Sequence, residues 1–335
     1  MKTRRANPII YYEGTNITKN LEKEIKSFSF TDVASGSSDT IQLKVHDITK
    51  KWLTDWAPKK GDVITAAIEV ENWNGEGDNR TFNCGQFIVD RPRYRGRPIE
   101  LSLNAAALPN NTSFTTTEKS RTWNKATLEK IAQKISAENN LNLVFDSSLN
   151  PKIEYVEQSE VSDKVFLNDL CTRYGVVMKI YKEKIVLYNE KEYEEKSTAT
   201  TIDESELEDW DLDPNLTDSG YDGVTITYFD PTTEERKKYT FTIPGEEGKK
   251  ILKVNDLVFS LSEAETKAKA ALRSKNKSEI ILKGKLSGGT FLIAGSTVDI
   301  TGFGEYSGKY YIDRITHTVK PYKMGLEMHK VLEGY

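Results

Sequence analysis

Hydrophobic and polar residues alternate along most of the first 110 positions. Polar and apolar residues alternate in residues 27–31 (Ser-Phe-Ser-Phe-Thr) and 40–45 (Thr-Ile-Gln-Leu-Lys-Val). A segment rich in Gly, Ser and Asp separates the two. Alternation with a period of two predicts strands that bury one face, and the polar segment predicts the turn of a hairpin. Another strand is predicted after the Pro58–Gly61 turn. We therefore expect a small barrel or sandwich of antiparallel strands over residues 1–110.

A passage of this first region recurs, in altered form, near the C-terminus. Residues 85–91 read Gly-Gln-Phe-Ile-Val-Asp-Arg, and residues 308–314 read Gly-Lys-Tyr-Tyr-Ile-Asp-Arg. A glycine-led strand pattern precedes each copy and an alternating segment follows it, so the repeat predicts two related sets of antiparallel strands. Period two also predicts that the third and fifth residues of each copy are buried, which are Phe87 and Val89 in the first and Tyr310 and Ile312 in the second. We interpret the following repeat-core positions as structural: Gly61, Gly85, Phe87, Val89, Asp90, Arg91, Gly295, Gly308, Tyr310, Ile312, Asp313 and Arg314.

The hydrophobic period changes to that of helices between residues 111 and 200. One helical face is predicted from Leu128, Ile131, Ala132 and Ile135, with Asn124 or Thr127 as the N-cap and Asn139-Asn140 near the end. Ser162 is predicted to cap a second helix, and Gly175 to end it in the left-handed conformation. A hairpin with its turn at Lys182-Glu183 is predicted next. The predicted buried side of the second helix comprises Val165, Phe166, Leu167, Leu170, Cys171 and Tyr174.

The last region, residues 201–335, begins with an acidic segment and ends with the second copy of the repeat. Strands are predicted at 223–228 and 238–243, and an Ala-rich helix in an insertion at about 245–285, with Ser262 and Glu265 as a capping box. The predicted fold class is α+β and mainly β. Two related β domains, 1–110 and 201–335, flank an α+β middle module at 111–200.

Composition excludes several classes of protein. No stretch of the 335 residues approaches the roughly 20 apolar residues of a membrane span, and the polar residues 1–7 do not resemble a secretory signal. We therefore expect assembly in the cytoplasm and no membrane insertion. Two cysteines argue against a disulfide framework. A net charge of −4 opposes a general nucleic-acid-binding role.

Two charged segments of opposite sign stand out. Residues 91–98 (Arg-Pro-Arg-Tyr-Arg-Gly-Arg-Pro) lie between two strand patterns and contain Pro and Gly, so we expect a solvated connection or docking loop. The region from Thr201 to Asp222 carries many carboxylates and no Lys or Arg, which indicates a solvated face or the wall of a channel that repels a polyanion.

Candidate catalytic or metal-binding chemistry is weak in this sequence. Asp209-Trp210-Asp211-Leu212-Asp213 begins like a calcium loop, but Pro214 and Gly220 stand where that loop requires Gly and Glu. Cys171 has helical core spacing, which favours a buried structural thiol over a nucleophile. The glycines at 284–289 and 302–304 lack the strand-to-helix setting of a phosphate cradle. We therefore expect no cofactor, no metal and no catalytic residue. A pair of carboxylates for glycoside cleavage remains open, since only geometry identifies one.

The segment from residue 156 to residue 175 (Val-Glu-Gln-Ser-Glu-Val-Ser-Asp-Lys-Val-Phe-Leu-Asn-Asp-Leu-Cys-Thr-Arg-Tyr-Gly) resembles phage late control D proteins in its order of Gln, Ser-Asp, Phe-Leu, Leu and Tyr-Gly. The C-terminal Ala-rich helix, followed by residues 292–295 and 308–317, resembles the closing segment of the same family. The resemblance implies a central baseplate hub of a contractile phage tail or a tail-like bacteriocin. It further implies two tube-like β-barrels per chain and a homotrimer, and it supplies no catalytic residues.

The sequence and the resemblance together predict a structural hub. Three chains with two units each would meet a six-fold tail tube protein on one side and a three-fold central spike protein on the other, and the middle module would contact other baseplate proteins. We also expect a neutral or acidic lumen, with residues 91–97 lying away from it. Two alternatives stay open, a tail-associated cell-wall hydrolase that acts through carboxylates and a carbohydrate-binding surface protein.

Overall fold

The structure is a computed structural model that describes residues 3–107, 113–181, 184–215, 217, 219–230, 233–256 and 258–335. The predicted turn at Lys182-Glu183 and the predicted boundary between residues 110 and 111 lie outside the described residues. No helix in the described part of the chain is long and apolar enough to cross a membrane.

The N-terminal region is built from strands in which every second side chain is buried. Hairpins join most of them, as the alternating sequence predicts. The elements are β1 (Arg5–Tyr12), β2 (Thr15–Asn16), α1 (Thr18–Leu21), β3 (Ile25–Val33), β4 (Thr40–His46), β5 (Val63–Glu71), β6 (Arg80–Arg95) and β7 (Glu100–Ala106).

The middle module combines helices with two small sheets around its own hydrophobic core. Strand β10 pairs with β8, and β12 lies between β11 and β9. Its elements are α2 (Ser113–Thr116), β8 (Glu118–Thr127), α3 (Leu128–Glu138), β9 (Asn142–Asp146), β10 (Lys152–Ser162), α4 (Asp163–Arg173), β11 (Val176–Tyr181), β12 (Lys184–Asn189) and α5 (Glu190–Glu194).

The C-terminal region contains a strand unit interrupted by a smaller α+β insertion. The insertion consists of β15, β16, β17 and α6 and has its own core, so it starts earlier than the predicted 245–285. The elements are β13 (Thr201–Asp203), β14 (Asp209–Pro214), β15 (Gly223–Asp230), β16 (Glu235–Thr242), β17 (Ile251–Val254), α6 (Leu261–Asn276), β18 (Ile280–Ser287), β19 (Thr297–Thr301), β20 (Gly308–Val319) and β21 (Lys323–Lys330), with 3₁₀ turns at Glu204–Glu206 and Gly304–Tyr306.

One sheet joins the two ends of the chain. Among the described residues its main path runs β14-β18-β21-β20-β3-β4-β7-β6-β5-β1-β2, and β19 with β13 attaches to β20. The N- and C-terminal strands also share a single hydrophobic core. The two β regions therefore lie edge to edge through β20 and β3, and their division into separate domains stays a prediction.

Helix ends follow the predicted capping chemistry in two cases of three. Thr127 caps α3 and Ser162 caps α4, each by accepting a hydrogen bond from a backbone N–H three residues later. Helix α6 begins earlier than predicted, because Ser260 is its N-cap and accepts from the Glu263 N–H at 3.2 Å. The sequence offers the Ser-x-x-Glu spacing twice, and the earlier copy is used.

Val165 does not belong to the buried side of α4, contrary to the prediction. Its exposed fraction is 46%, whereas the other five predicted positions are buried. Val165 lies in the first turn of the helix and lines a groove against the N-terminal strands, so it contacts the groove instead of the module's core.

Candidate assembly interface

The sequence repeat corresponds to a five-strand unit that occurs twice. In the first unit the strands pair in the order β3-β4-β7-β6-β5, and in the second in the order β14-β18-β21-β20-β19. The β6–β7 pairs match the β20–β21 pairs at a constant offset of 223 residues, so that Ile88 opposite Ala106 corresponds to Tyr311 opposite His329. The two units therefore agree in strand order and in register.

Backbone hydrogen bonds at the start of each unit are also equivalent. The Gly61 N–H donates to the Val89 carbonyl and the Val89 N–H to the Asp62 carbonyl, both at 2.8 Å. The Gly295 N–H donates to the Ile312 carbonyl, which is the same bond in the second unit, at 2.9 Å. Gly61 and Gly295 both have positive φ, +97° and +88°, a conformation that glycine adopts without a steric penalty.

The same correspondence continues through a second pair of glycines and a pair of β-bulges. Gly85 and Gly308 have φ of +112° and +133°, and they face equivalent positions on β5 and β19. The register then shifts at Asp90 in β6 and at Asp313 in β20. A bulge leaves one residue unpaired and bends its strand, so both units bend at the same place.

The aromatic and aliphatic repeat positions form the core, as the alternating pattern predicts. Phe87, Val89, Tyr310 and Ile312 are each 0% exposed. The Tyr310 hydroxyl donates a hydrogen bond to the Tyr306 carbonyl at 2.7 Å. The corresponding Phe87 has no hydroxyl and needs no such partner.

One face of the shared sheet is mostly polar. Most residues of β3, β4, β7, β20 and β21 that alternate with the core positions are polar or charged and half-buried or exposed, whereas Tyr311 and His329 are buried under the middle module. At the junction of the two units, the hydroxyls of Thr31 and Thr316 lie 3.1 Å apart on this face. We call this surface the polar face, and its members include Ser29, Thr31, Gln42, Lys44, Ser102, Asn104, Arg314, Thr316, Thr318, Lys323 and Glu327.

The basic segment is not a connection, contrary to the prediction. Arg91 to Arg95 form the second half of β6 and pair with β7, and only Gly96 to Ile99 make the turn. Strand β5 pairs with the first half of β6 alone, up to Ile88, so this second half has a strand on one side only among the described residues. Pro92 fits there because an open edge does not require every backbone donor.

The acidic segment forms another sheet edge. Strand β14 pairs with β18 on one side and ends the sheet on the other, within the described residues. The carboxylates of Asp209, Asp211 and Asp213 alternate with Trp210 and Leu212 and are exposed, which agrees with the predicted solvated face. Asp209 pairs with Lys285 of β18 at 2.8 Å.

Two residues of the segment that carries the resemblance, Gln158 and Asp163, belong to a buried polar network. Asp163 accepts hydrogen bonds from Arg121 at 2.7 Å, from Lys119 at 2.6 Å and from Asn139 at 2.8 Å. The Gln158 amide donates to the same carboxylate at 3.0 Å. Burial alone raises the pKa of Asp163, but these donors lower it overall, so the group stays ionised. The motif residues thus hold β8, β10 and α4 together.

Charged and hydroxyl groups also fix the middle module to the main sheet. Lys179 of β11 contacts Asp32 of β3 and lies 3.4 Å from the Asp39 carboxylate. Burial, partly offset by Lys179, raises the pKa of Asp39 to about 6. The Tyr188 hydroxyl lies 3.0 Å from the Ala34 carbonyl and 3.1 Å from the Tyr311 hydroxyl, so the module contacts both β units.

A second junction network surrounds the buried His329 of β21. Its two ring nitrogens lie 2.7 Å from Asp313 and 3.4 Å from Glu194, and Arg273 of α6 donates to Glu194 at 2.7 Å. Burial lowers the pKa of His329, but the hydrogen bonds to both carboxylates outweigh it and raise the pKa to about 9.

The same network is the best geometric candidate for a metal site among the described residues. Ligand atoms of Glu190, Glu194 and His329 lie within 4.8 Å of one another. Arg273 and Lys277 already neutralise the two carboxylates, and a protonated imidazole has no free lone pair for a metal. The arrangement is that of an ion-pair network joining three parts of the chain.

Sequence reasoning located the repeat but missed these networks. Cys171 is buried, and burial raises its thiol pKa, in line with the predicted structural role. Arg121 with Asp163 and Glu194 with His329 are far apart in the sequence, and no spacing pattern connects them. The only available signal was the Gln-x-x-x-Ser-Asp order of the family motif.

Comparisons with known proteins point to phage tails. No protein-family model matches the chain. A probable baseplate hub protein of Escherichia phage 186 is 27% identical over 175 residues, which are 51% of this chain and 42% of that protein. The probable baseplate hub protein of Escherichia phage P2 is 27% identical over 183 residues, 53% of this chain and 44% of that protein. The matches thus span less than half of each relative's length.

Solved structures of tail proteins share the whole fold. A tail protein from Neisseria meningitidis MC58 superposes with a TM-score of 0.74 at 12% identity, over 97% of both chains. The 43 kDa tail protein of prophage MuSo2 from Shewanella oneidensis gives 0.72 at 11% identity, over 97% of this chain and 98% of that one. The chain therefore has a phage tail protein fold, mainly β. The predicted resemblance to phage baseplate hub proteins is confirmed.

Proposed function

We propose that this chain is a structural baseplate hub of a contractile phage tail or tail-like bacteriocin, and that it works as a homotrimer. The observation that carries the proposal is the repeated five-strand unit, whose two copies agree in strand order, register, bulge position and glycine conformation. Two equivalent units per chain give a trimer six equivalent units. A trimer can thus match a six-fold ring on one side and a three-fold partner on the other.

The partners follow from this symmetry. The six units would meet the tail tube protein, and the true three-fold axis would meet a central spike protein. The middle module lies outside the shared sheet and carries the exposed Val165 and Tyr155, so it is available to other baseplate proteins. The repeat-core residues would serve to build the two equivalent units.

The polar face is the surface we propose for the channel wall. Its hydroxyl and amide side chains offer a passing polymer little apolar area, and two of its cations, Arg314 and Lys323, are paired with Glu327 and Glu208. Arg91, Arg93 and Arg95 alternate with core-facing positions and so lie on this face. On this proposal the three arginines lie in the lumen, which departs from the expectation for residues 91–97.

A non-enzymatic role is supported by the state of the buried carboxylates. Asp163 and Glu194 each accept charge-assisted hydrogen bonds from arginine, and Asp32 contacts Lys179. Such groups hold modules together and are poor general acids. If the hydrolase alternative is correct, the purified chain will lower the turbidity of a cell-wall suspension, whereas a structural hub leaves it unchanged.

The oligomeric state tests the proposed function directly. Light scattering on the purified full chain is expected to give a particle mass three times 38.0 kDa at concentrations where the trimer forms. A chain that stays monomeric at every concentration, and also when mixed with its tube and spike proteins, would contradict the proposal.

A further inference from the structure

Within the described residues, one pair of strands joins the two β units, and two further edges equivalent to those strands are unpaired. Within the chain, β20 of the second unit pairs with β3 of the first, from Arg314 opposite Val33 to Val319 opposite Phe28. The counterpart of β20 in the first unit is the second half of β6, and the counterpart of β3 in the second unit is β14. Both counterparts are the open edges described above.

We propose that these two edges pair with each other between neighbouring copies of this chain, in the register that β20 and β3 use. The inference rests on the proposed trimer and names its interface. Subtracting 223 from a residue number in β20 gives its counterpart in β6. Adding 182 to a residue number in β3 gives its counterpart in β14, because the Phe30–Ile41 pair corresponds to the Leu212–Leu282 pair. Arg93 then stands opposite Asp213, Tyr94 opposite Leu212, and Arg95 opposite Asp211.

Charge complementarity supports this register. Residues directly opposite each other on antiparallel strands project to the same face. Arg93 and Arg95 therefore meet Asp213 and Asp211 on the polar face, where the intramolecular junction has Thr316 and Thr31. Within the described residues, none of these four charged side chains has an ion-pair partner in its own chain. If the register shifted by one residue, Arg93 and Arg95 would stand opposite Leu212 and Trp210.

The other face of the paired edges is apolar, as a continuous core requires. Tyr94 and Leu212 both pack against the main hydrophobic core of their own unit. In the proposed register they correspond to His317 and Phe30, whose rings stack at 6.0 Å across the intramolecular junction. Pairing the edges would extend the same core from one subunit into the next.

Proline shapes both edges. Pro92 and Pro214 stand opposite each other in this register, so neither donates a backbone hydrogen bond at that step. Fewer donors on an open edge also limit pairing with unrelated strands, which is a common protection of exposed sheet edges. Specificity would then depend on the Arg–Asp pairs. The interface is head to tail, β6 of one copy on β14 of the next. Such an interface closes into a ring of three when successive copies are related by a rotation of about 120°.

Charge reversal tests the interface in the full-length chain. Arg93→Asp with Arg95→Asp, or Asp211→Arg with Asp213→Arg, is expected to weaken trimer formation on the order of tenfold or more in light scattering, because like charges then face each other. Combining all four substitutions is expected to restore the trimer. Arg236→Asp with Lys238→Asp, on the exposed edge strand β16, is the matched control and is expected to leave the trimer intact.

Cysteine cross-linking tests the register independently of stability. Arg93→Cys with Asp213→Cys in one chain is expected to give disulfide-linked dimers and trimers on a non-reducing gel, while Arg93→Cys with Leu212→Cys gives few, since those side chains point to opposite faces. Cys84 and Cys171 are buried and do not interfere. A trimer that withstands both reversals and forms no cross-links would overturn the interface while leaving the proposed hub. A wild-type chain that never associates would overturn both.

Discussion

At the scale of single residues, the account depends on equivalent core positions in the two units. Phe87 and Tyr310 occupy the same place and neither is exposed. Replacing either by Ala removes a large ring from a close-packed interior and leaves a cavity. We expect Phe87→Ala and Tyr310→Ala each to lower the free energy of unfolding by about 3 to 5 kcal/mol in urea titrations.

Tyr155 provides the matched control for these two substitutions. It is 46% exposed on β10, so Tyr155→Ala is expected to change stability by less than about 0.5 kcal/mol. If Tyr310→Ala lowered the free energy of unfolding as little as Tyr155→Ala, the result would contradict the equivalence of Tyr310 and Phe87 as core positions.

His329 gives a pH-dependent prediction. Its pKa is raised from 6.5 to about 9 in the folded chain. A raised basic pKa stabilises the fold fully below the unfolded value, and this stabilisation is lost as the pH rises through the folded value. We expect the free energy of unfolding to fall between about pH 6.5 and 9 in the wild type.

The variant His329→Gln separates this effect from the titration of other groups. It is expected to be less stable at pH 6.5 and to lose much of the decline towards pH 9. His46→Gln, at a half-exposed histidine of β4, serves as the control and should keep the wild-type slope. An unchanged slope in His329→Gln would show that the imidazole is not charged in the fold.

At the scale of elements, the middle module depends on the carboxylate of Asp163. Asp163→Asn removes the buried charge that faces Arg121 and Lys119, so these two cations keep only Glu138 as a shared carboxylate partner. Breaking a buried ion pair from one side is strongly destabilising, here on the order of 3 kcal/mol. Hydrogen exchange of the α4 amides should accelerate accordingly.

Glu154→Gln is the control, because Glu154 is exposed on the neighbouring β10 and is not part of the network. Equal exchange in both variants would mean that the network does not hold α4. Wild-type exchange rates in Asp163→Asn would contradict the role we give to the family motif.

Much of the element pattern could be predicted from local sequence. The helices at α3 and α4 and the strands of the repeat follow from hydrophobic period and capping residues, which act within a few positions. The edge strands were harder. Residues 91–95 and 209–213 alternate charged with apolar residues, but Pro92 and the density of charge obscure the period. The first segment is therefore predicted as a connection or docking loop, and the second as a solvated face or channel wall. Ser260 was missed because two capping boxes overlap.

Contacts between distant segments could not be predicted from one sequence. Lys179 contacts Asp32, and Tyr188 lies beside Tyr311, through folding that places β11 and β12 against the main sheet. No local rule relates these positions. The family motif signalled Gln158 and Asp163 without revealing that Arg121 completes their network.

At the scale of the whole molecule, Lys179 holds the middle module against the first β unit. Lys179→Met would leave Asp32 and Asp39 close together without their cation, so we expect faster limited proteolysis between the module and the sheet at neutral pH. The pKa of Asp39 is raised to about 6 in the wild type, and removing Lys179 raises it further. Lowering the pH below about 6 should therefore reduce the defect, because a protonated Asp39 no longer repels Asp32.

Lys184→Met, at an exposed position of β12, is the control for this variant. It should be cleaved at the wild-type rate at both pH values. A defect of Lys179→Met that does not depend on pH would point to lost side-chain packing instead of charge.

The central claim is that three chains place six equivalent β units around one axis. Cryo-electron microscopy of the particle that contains this chain, reconstructed without imposed symmetry, measures this directly. The account predicts three copies in which the unit of β3 to β7 and the unit of β14 and β18 to β21 superpose by successive rotations of about 60°, with the polar face towards the channel. A different number of copies, or two units in unrelated positions relative to the axis, would contradict it.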